Sequence, residues 1–207
     1  MTPGGWLGPV GGCALVALLE LDVVQVGQTM VSRPLVLGPL LGLLFGVPRI
    51  GLALGLCLEF LSLDDVPVGD RLPLNATVAA AAALLLTCSP RPLHPALALP
   101  LGLAAGWAHQ RLEAVLRHRR RALCGAAERS ISDGGTPPWG RLLGRALAEQ
   151  AAATFAVLLA CVCAAGPALS GLWPRLPQSL LAGLDLGWKL APWLGLGVVL
   201  HALRRRA

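Results

Sequence analysis

Seven apolar blocks, at about residues 7–26, 34–47, 50–63, 75–88, 93–108, 147–169 and 180–203, take up most of this 207-residue chain. Blocks so long and so frequent exceed what a soluble core of this size buries, and the solvent they require is lipid. Charge is correspondingly scarce: 14% of the residues are charged, against roughly 25% in an ordinary soluble domain. Hydrophobic residues reach 55% and mean hydropathy is +0.67. The fold class this predicts is an all-α polytopic membrane protein, with broken or re-entrant segments among its transmembrane helices in the N-terminal half.

Segment lengths argue for the interruptions. A helix rising about 1.5 Å per residue needs about 20 residues to cross roughly 30 Å of hydrocarbon. The second, third and fourth blocks are shorter than that, so they are re-entrant or join into broken helices. Pro48 and Arg49 divide one apolar stretch, and Pro67, Pro73, Pro90, Pro92 and Pro95 punctuate the chain beyond it. Backbone freed from helical bonding survives at membrane depth only where protein or a water-filled cavity satisfies it. Short segments interrupted by glycine and proline point to the binding region of a secondary transporter, although ordinary interfacial turns also account for these prolines.

Charge placement gives orientation. Every basic residue except Lys189 is an arginine; eight lie between Arg111 and Arg145, and Arg204, Arg205 and Arg206 close the chain. Clustering of this kind is a topology signal, which disfavours reading the net charge of +6 as a nucleic-acid surface. It predicts that residues 110–144 are cytoplasmic. The last two blocks then cross out and back through Trp173-Pro174-Arg175-Leu176-Pro177. Topology and headgroup contact explain the run Arg117-His118-Arg119-Arg120-Arg121 more simply than a phosphate site does. Three regions result: 1–109, a membrane region with interrupted helices and the candidate binding site; 110–145, a cytoplasmic basic helix and loop; and 146–207, a pair of transmembrane helices with a basic tail. The arginine, alanine and leucine usage suggests a GC-rich bacterial genome. The first block lacks a basic leader and is interrupted by Glu20 and Asp22, so a cleaved signal peptide is not expected.

The six cysteines form no CxxC pair, and the four histidines read as isolated, so metal, cofactor and redox chemistry are not expected. No nucleophile–base arrangement or phosphate loop appears, which argues against catalysis by this chain. Ionisable groups within apolar segments are expensive and mark functional sites by default; here they are Glu20, Asp22, Glu59, Asp64 and Asp65. Glu59, in Gly55-Leu56-Cys57-Leu58-Glu59-Phe60-Leu61, must face protein, water or substrate. Arg33 is a candidate partner, and a purely structural ion pair remains the plainer alternative. Carboxylates and amides suit sugar hydroxyls, which both donate and accept. Gln25, Gln28 and Asn75 are therefore noted beside Glu59.

The stretch Gln28-Thr29-Met30-Val31-Ser32-Arg33-Pro34-Leu35-Val36-Leu37-Gly38-Pro39 and its continuation to Gly46 resembles the IIC subunit of the mannose/fructose/sorbose branch of the bacterial phosphotransferase system. The run from Arg49 to Glu59, the positions Gly69 and Pro73 to Thr77, Ala98-Leu99-Pro100-Leu101 and the basic helix ending Ala126-Ala127-Glu128-Arg129 extend the likeness over roughly residues 15 to 203. The resemblance implies a sugar-translocating subunit of the bacterial inner membrane that works beside a IID subunit by an elevator-like movement. It also implies an oligomer, with cytoplasmic IIA and IIB components relaying the phosphoryl group to the arriving sugar. By position it makes Glu59, Gln28 and Asn75 sugar contacts, with Arg33 orienting them. Asn75 stands where the family usually has aspartate, and Asp64-Asp65 and Asp70-Arg71 put charge where small or apolar residues are common. Those departures, and the early end of the chain, keep open a non-transporting or regulatory relic of the same system. An unrelated small-solute transporter is the third reading.

Overall fold

The computed structural model describes residues 7–23, 26–63 and 72–206. Among these every regular element is helical: α1 (Leu7–Leu19), α2 (Pro34–Leu44), α3 (Pro48–Ser62), α4 (Ala76–Cys88), α5 (Pro95–Ser132), α6 (Trp139–Ala160), α7 (Gly166–Ser170) and α8 (Gln178–Arg206). A 3-10 turn, Glu20–Val23, extends α1; a π turn, Cys161–Ala165, joins α6 to α7; and a 3-10 turn, Trp173–Arg175, leads into α8. The all-α polytopic membrane fold expected from the apolar blocks is the fold that forms. Gln25, Asp64, Asp65, Pro67, Gly69, Asp70 and Arg71 lie outside the described residues.

Local sequence sets the helix ends. Pro34, Pro48 and Pro95 each occupy the first position of a helix, where the missing N–H has no intrahelical partner to lose and the fixed φ is already helical. α2 and α5 both stop at a glycine in the left-handed region, Gly46 at φ 74° and Gly134 at φ 73°. The Gly46 N–H donates to the Leu43 carbonyl at 3.2 Å and the Val47 N–H to the Gly42 carbonyl at 2.6 Å. Gly134 and Gly135 repeat the arrangement on the carbonyls of Ile131 and Ser130, both at 2.9 Å. Each pair satisfies carbonyls that the last helical turn leaves without partners.

The second and third blocks become two short antiparallel helices of 11 and 15 residues, about 16 and 22 Å long, so neither crosses a bilayer. Glycines face one another across them. A Cβ on Gly38 would strike the Gly51 carbonyl oxygen and lie 2.9 Å from the Gly55 Cα; one on Gly51 would lie 2.9 Å from the Gly42 Cα. In lipid, apolar side chains gain little by leaving one environment for another, so close backbone contact supplies the attraction. α4 lies at the centre, buried on all sides from Ala76 to Leu86 and packed by α1, α2, α3, α5 and α6. Gly102 and Gly106 of α5 lie on its alanine face: a Cβ on Gly102 would stand 2.8 Å from the Ala83 Cβ.

α5 has 38 residues, about 57 Å, nearly twice the roughly 30 Å hydrocarbon thickness. Its first half packs on α4, and the arginine-bearing second half runs on as the same helix before the break at residues 133–138. Among the described residues, Trp139–Arg175 is long and apolar enough to cross a membrane unaided, while Pro34–Leu44 and Ala76–Cys88 are apolar but shorter. Pro167 cannot donate to the carbonyl four residues back, which gives the adjoining π turn a local cause. α8 packs on α3 and α5 and leaves Leu186, Leu190, Trp193 and Leu194 exposed, a surface suited to lipid.

Candidate functional site

A cavity of about 870 Å³ lies inside the bundle. The end of α1, residues 28–34, the end of α3, the start of α4, the middle of α5 and Gln150 of α6 enclose it. Two helices point their N-termini at it. Arg33 and Asn75 are the N-caps of α2 and α4, whose positive dipole ends favour carboxylate, phosphate and hydroxyl oxygens.

Glu59 is buried, and both its oxygens are engaged. Oε1 accepts from Arg33 Nη1 at 2.8 Å, and Oε2 accepts from the Leu35 N–H in the first turn of α2 at 3.3 Å. A carboxylate from the end of α3 thus supplies the cap that the Arg33 side chain does not. The Arg33 side chain is 52% exposed against 9% for Glu59, so the guanidinium borders the open volume while the carboxylate lies behind it.

Asn75 is a junction. Its Oδ1 accepts from the Val78 N–H at 2.9 Å, which caps α4 and turns the amide nitrogen inward. Nδ2 then donates to Glu20 Oε1 at 3.0 Å and meets His109 Nδ1 at 3.0 Å. Because an amide nitrogen only donates, His109 Nδ1 accepts, and the ring proton sits on Nε2, 3.0 Å from Thr154 Oγ1. The Thr154 hydroxyl is therefore free to donate to Glu20 Oε2 at 3.2 Å or to the Gln150 carbonyl at 3.1 Å. Gln150 Nε2 donates to both Glu20 oxygens, at 3.2 and 3.1 Å. Its Oε1 accepts from Arg120, which also pairs with Glu113 at 3.2 Å. The buried Glu20 carboxylate is thus held by neutral donors from α4 and α6, and the nearest cation of this network reaches it only through the Gln150 amide.

The loop closing the cavity is strained. Gln28 at φ 53° and Met30 at φ 64° are non-glycine residues in the left-handed region, beside Gly27 at φ 83°. Asp22 holds them there: Oδ1 accepts from the Thr29 N–H at 2.6 Å and the Thr29 hydroxyl at 2.9 Å, and Oδ2 from the Ser32 hydroxyl at 3.4 Å. The Thr77 hydroxyl fastens the loop to α4 by donating to the Ser32 carbonyl at 2.9 Å.

The four residues expected from sequence, Glu59, Gln28, Asn75 and Arg33, all line this one cavity. Glu20 and Asp22, expected with Glu59 as functional candidates because they are ionisable groups in an apolar run, join them. His109 is a correction: isolated along the chain, it is buried and bonded to two helices in the fold. Gln150, Thr154 and Glu113 were missed. A signal existed in the spacing of His109, Glu113, Arg117 and Arg120, which puts four polar groups on one stripe of α5.

Comparison with known proteins agrees with the fold. A family profile described as the PTS system sorbose-specific IIC component matches residues 12–207. One solved structure, described only as a membrane protein, is 17% identical and superposes with a TM-score of 0.75, covering 94% of this chain and 79% of the other. A second, the mannose transporter ManYZ in complex with microcin E492, is 18% identical with a TM-score of 0.63, over 95% of this chain and 79% of that one. At these identities the structures show a shared fold. No curated protein sequence matches the chain.

Proposed function

Because the chain belongs to the sorbose-specific IIC family of the phosphotransferase system, we propose that it is the sugar-translocating membrane subunit of a mannose-type permease in a bacterial inner membrane. It moves a sugar inward beside a IID membrane subunit within an oligomer, while cytoplasmic IIA and IIB components carry the phosphoryl group that the arriving sugar receives. Phosphoryl transfer belongs to those partners, and this chain provides the route. In this reading residues 1–109 carry most of the sugar site, 110–145 form the cytoplasmic basic arm and 146–207 complete the membrane region.

One observation carries the proposal: the α2 and α4 N-termini meet Glu59, Arg33, Gln28 and Asn75 around one cavity within an otherwise apolar bundle. Paired helix ends and amide or carboxylate oxygens provide both the donors and the acceptors that a polyol requires. Depth supports it too. His94 stacks on Trp173 at 4.8 Å, an aromatic pairing suited to a bilayer interface, and His109 lies about 22 Å further along α5. On this reading the cavity lies within the roughly 30 Å hydrocarbon slab, on the arginine-rich side of its midplane.

The test is uptake of labelled hexose by cells expressing the chain with its partner subunits. Glu59→Ala and Gln28→Ala variants, inserted at wild-type level, are expected to lose uptake; wild-type rates from both overturn the site assignment. A non-transporting relic has one observation in its favour, namely that the Asn75 amide is fully committed to Val78, Glu20 and His109. Absence of any uptake by the unmodified chain with its partners would establish that reading.

A further inference from the structure

α5 carries a second hollow, of about 400 Å³, lined by Arg117, Arg120, Arg121, Cys124, Gly125 and Glu128. The spacing of these positions places them on one stripe of the helix. Arg117 and Arg120 also line the large cavity, so the two hollows share a wall. Three guanidinia face one lining carboxylate. From the cavity side Glu113 engages Arg117 at 3.5 Å and Arg120 at 3.2 Å, while Arg121 is exposed and enters none of these pairs. Arg120 Nε is buried and has no acceptor among the described residues, although buried donors are almost always paired. A Cβ on Gly125 would meet nothing within 4 Å, so space is open above the stripe. Cytoplasmic topology accounts for arginines on this side of the membrane. It does not account for three of them gathered around small residues at the edge of the cavity.

We infer that this stripe is a phosphomonoester site at the cavity mouth, which receives the dianionic phosphate of a sugar phosphate leaving the transporter. The planar guanidinium fork presents paired N–H donors to phosphate oxygens. A phosphate there competes with Glu113 for Arg117 and Arg120. It thereby slackens the Arg120–Gln150–Glu20 chain that holds the cavity wall. The inference rests on the proposed transport function, because that is what brings a sugar phosphate to this mouth. Membrane headgroups carry the same phosphate chemistry and are the competing source.

Cys124 is exposed within the stripe and serves as reporter. The full-length protein is reconstituted in phosphatidylcholine nanodiscs, and modification of Cys124 by a membrane-impermeant thiol reagent is followed by mass spectrometry with mannose, mannose 6-phosphate or inorganic phosphate present. Millimolar mannose 6-phosphate is expected to slow modification about fivefold, as near-saturating occupancy requires, and mannose to leave it unchanged. Arg121→Gln, which removes a guanidinium outside the sugar cavity, is expected to abolish protection, and Arg121→Lys to retain part of it. Unchanged modification with mannose 6-phosphate, or full protection in Arg121→Gln, overturns the inference. Protection by phosphatidic acid in the nanodisc, with none from mannose 6-phosphate, overturns the sugar-phosphate source and leaves a headgroup site. If Glu59 and Gln28 variants transport normally while protection persists, the sugar-site reading has failed and the phosphate site stands. If those variants lose uptake and no protection is seen, the phosphate site has failed and the sugar site stands.

Discussion

The Glu59 carboxylate lies 2.8 Å from the Arg33 guanidinium and, through its other oxygen, caps the helix that Arg33 precedes. These two contributions separate by substitution. Arg33 is half exposed, so the ion pair itself is worth at most about 1 kcal/mol. Arg33→Ala is therefore expected to leave thermal stability in detergent nearly unchanged while lowering hexose uptake at least about tenfold, the loss expected when one charged hydrogen-bonding group leaves a binding site. Glu59→Ala removes the cap as well and costs about 1–2 kcal/mol of stability. Glu59→Gln keeps an acceptor for the Leu35 N–H and recovers most of that. Wild-type uptake by Arg33→Ala would reduce Arg33 to a surface charge.

Asn75 and Glu20 are joined at 3.0 Å, and the amide is what makes their proximity tolerable. Asn75→Asp replaces a donor with a second carboxylate facing the buried Glu20 and leaves His109 Nδ1 without its donor. Two buried like charges at this distance do not both ionise, and the variant is expected to lose about 2–4 kcal/mol near neutral pH. Adding Glu20→Gln removes the repulsion and restores a donor. The double variant should therefore be more stable than Asn75→Asp alone, a non-additivity that a thermal-melt cycle detects. Additive losses would show that the two residues do not communicate.

What the sequence disclosed and what it concealed divide along chain distance. Pro34, Pro48 and Pro95 start helices, and Gly46 and Gly134 end them, through interactions spanning at most six residues, so the apolar blocks already trace the elements. The shortness of the second and third blocks foretold that neither would cross alone. Glu59 and Arg33 were legible because a carboxylate in an apolar run demands a partner and few candidates existed. The Glu20 junction was not legible: Gln150 is 130 residues away from it and Asn75 is 55, and each taken alone is an ordinary polar residue. His109 looked isolated because its partners come from α4 and α6, which meet it only after α4 is buried at the centre.

The contact between α2 and α3 is backbone on backbone, which makes glycine obligatory at four positions. Gly38→Ala or Gly51→Ala places a methyl group against the opposite carbonyl, with no flexible side chain able to yield. Overpacking of this kind costs about 1–3 kcal/mol or more, and these variants should give little monodisperse protein in detergent. Gly140→Ala and Gly144→Ala, where a Cβ meets nothing within 4 Å, should purify like the wild type. Normal yields for Gly38→Ala would mean that the hairpin can open at little cost.

The loop at residues 26–33 stores strain that Asp22 maintains, so its shape and its function separate in two variants. Met30 sits at φ 64°, a region that costs an L-residue about 1–2 kcal/mol and a β-branched one more. Met30→Gly relieves that strain but frees the unfolded chain by a similar amount, so stability should change by less than about 1 kcal/mol. Met30→Val should lose about 1–2 kcal/mol. Asp22→Ala leaves those backbone angles possible but removes the acceptor for the Thr29 and Ser32 donors, which lets the loop leave the cavity. Its expected signature is a KM for hexose uptake raised about tenfold or more with little change in melting temperature, because the ordering cost once prepaid by the fold is now taken from substrate binding. Were the KM of Asp22→Ala unchanged, the left-handed turn would be a consequence of joining α1 to α2 over a short distance, and the sugar would owe nothing to it.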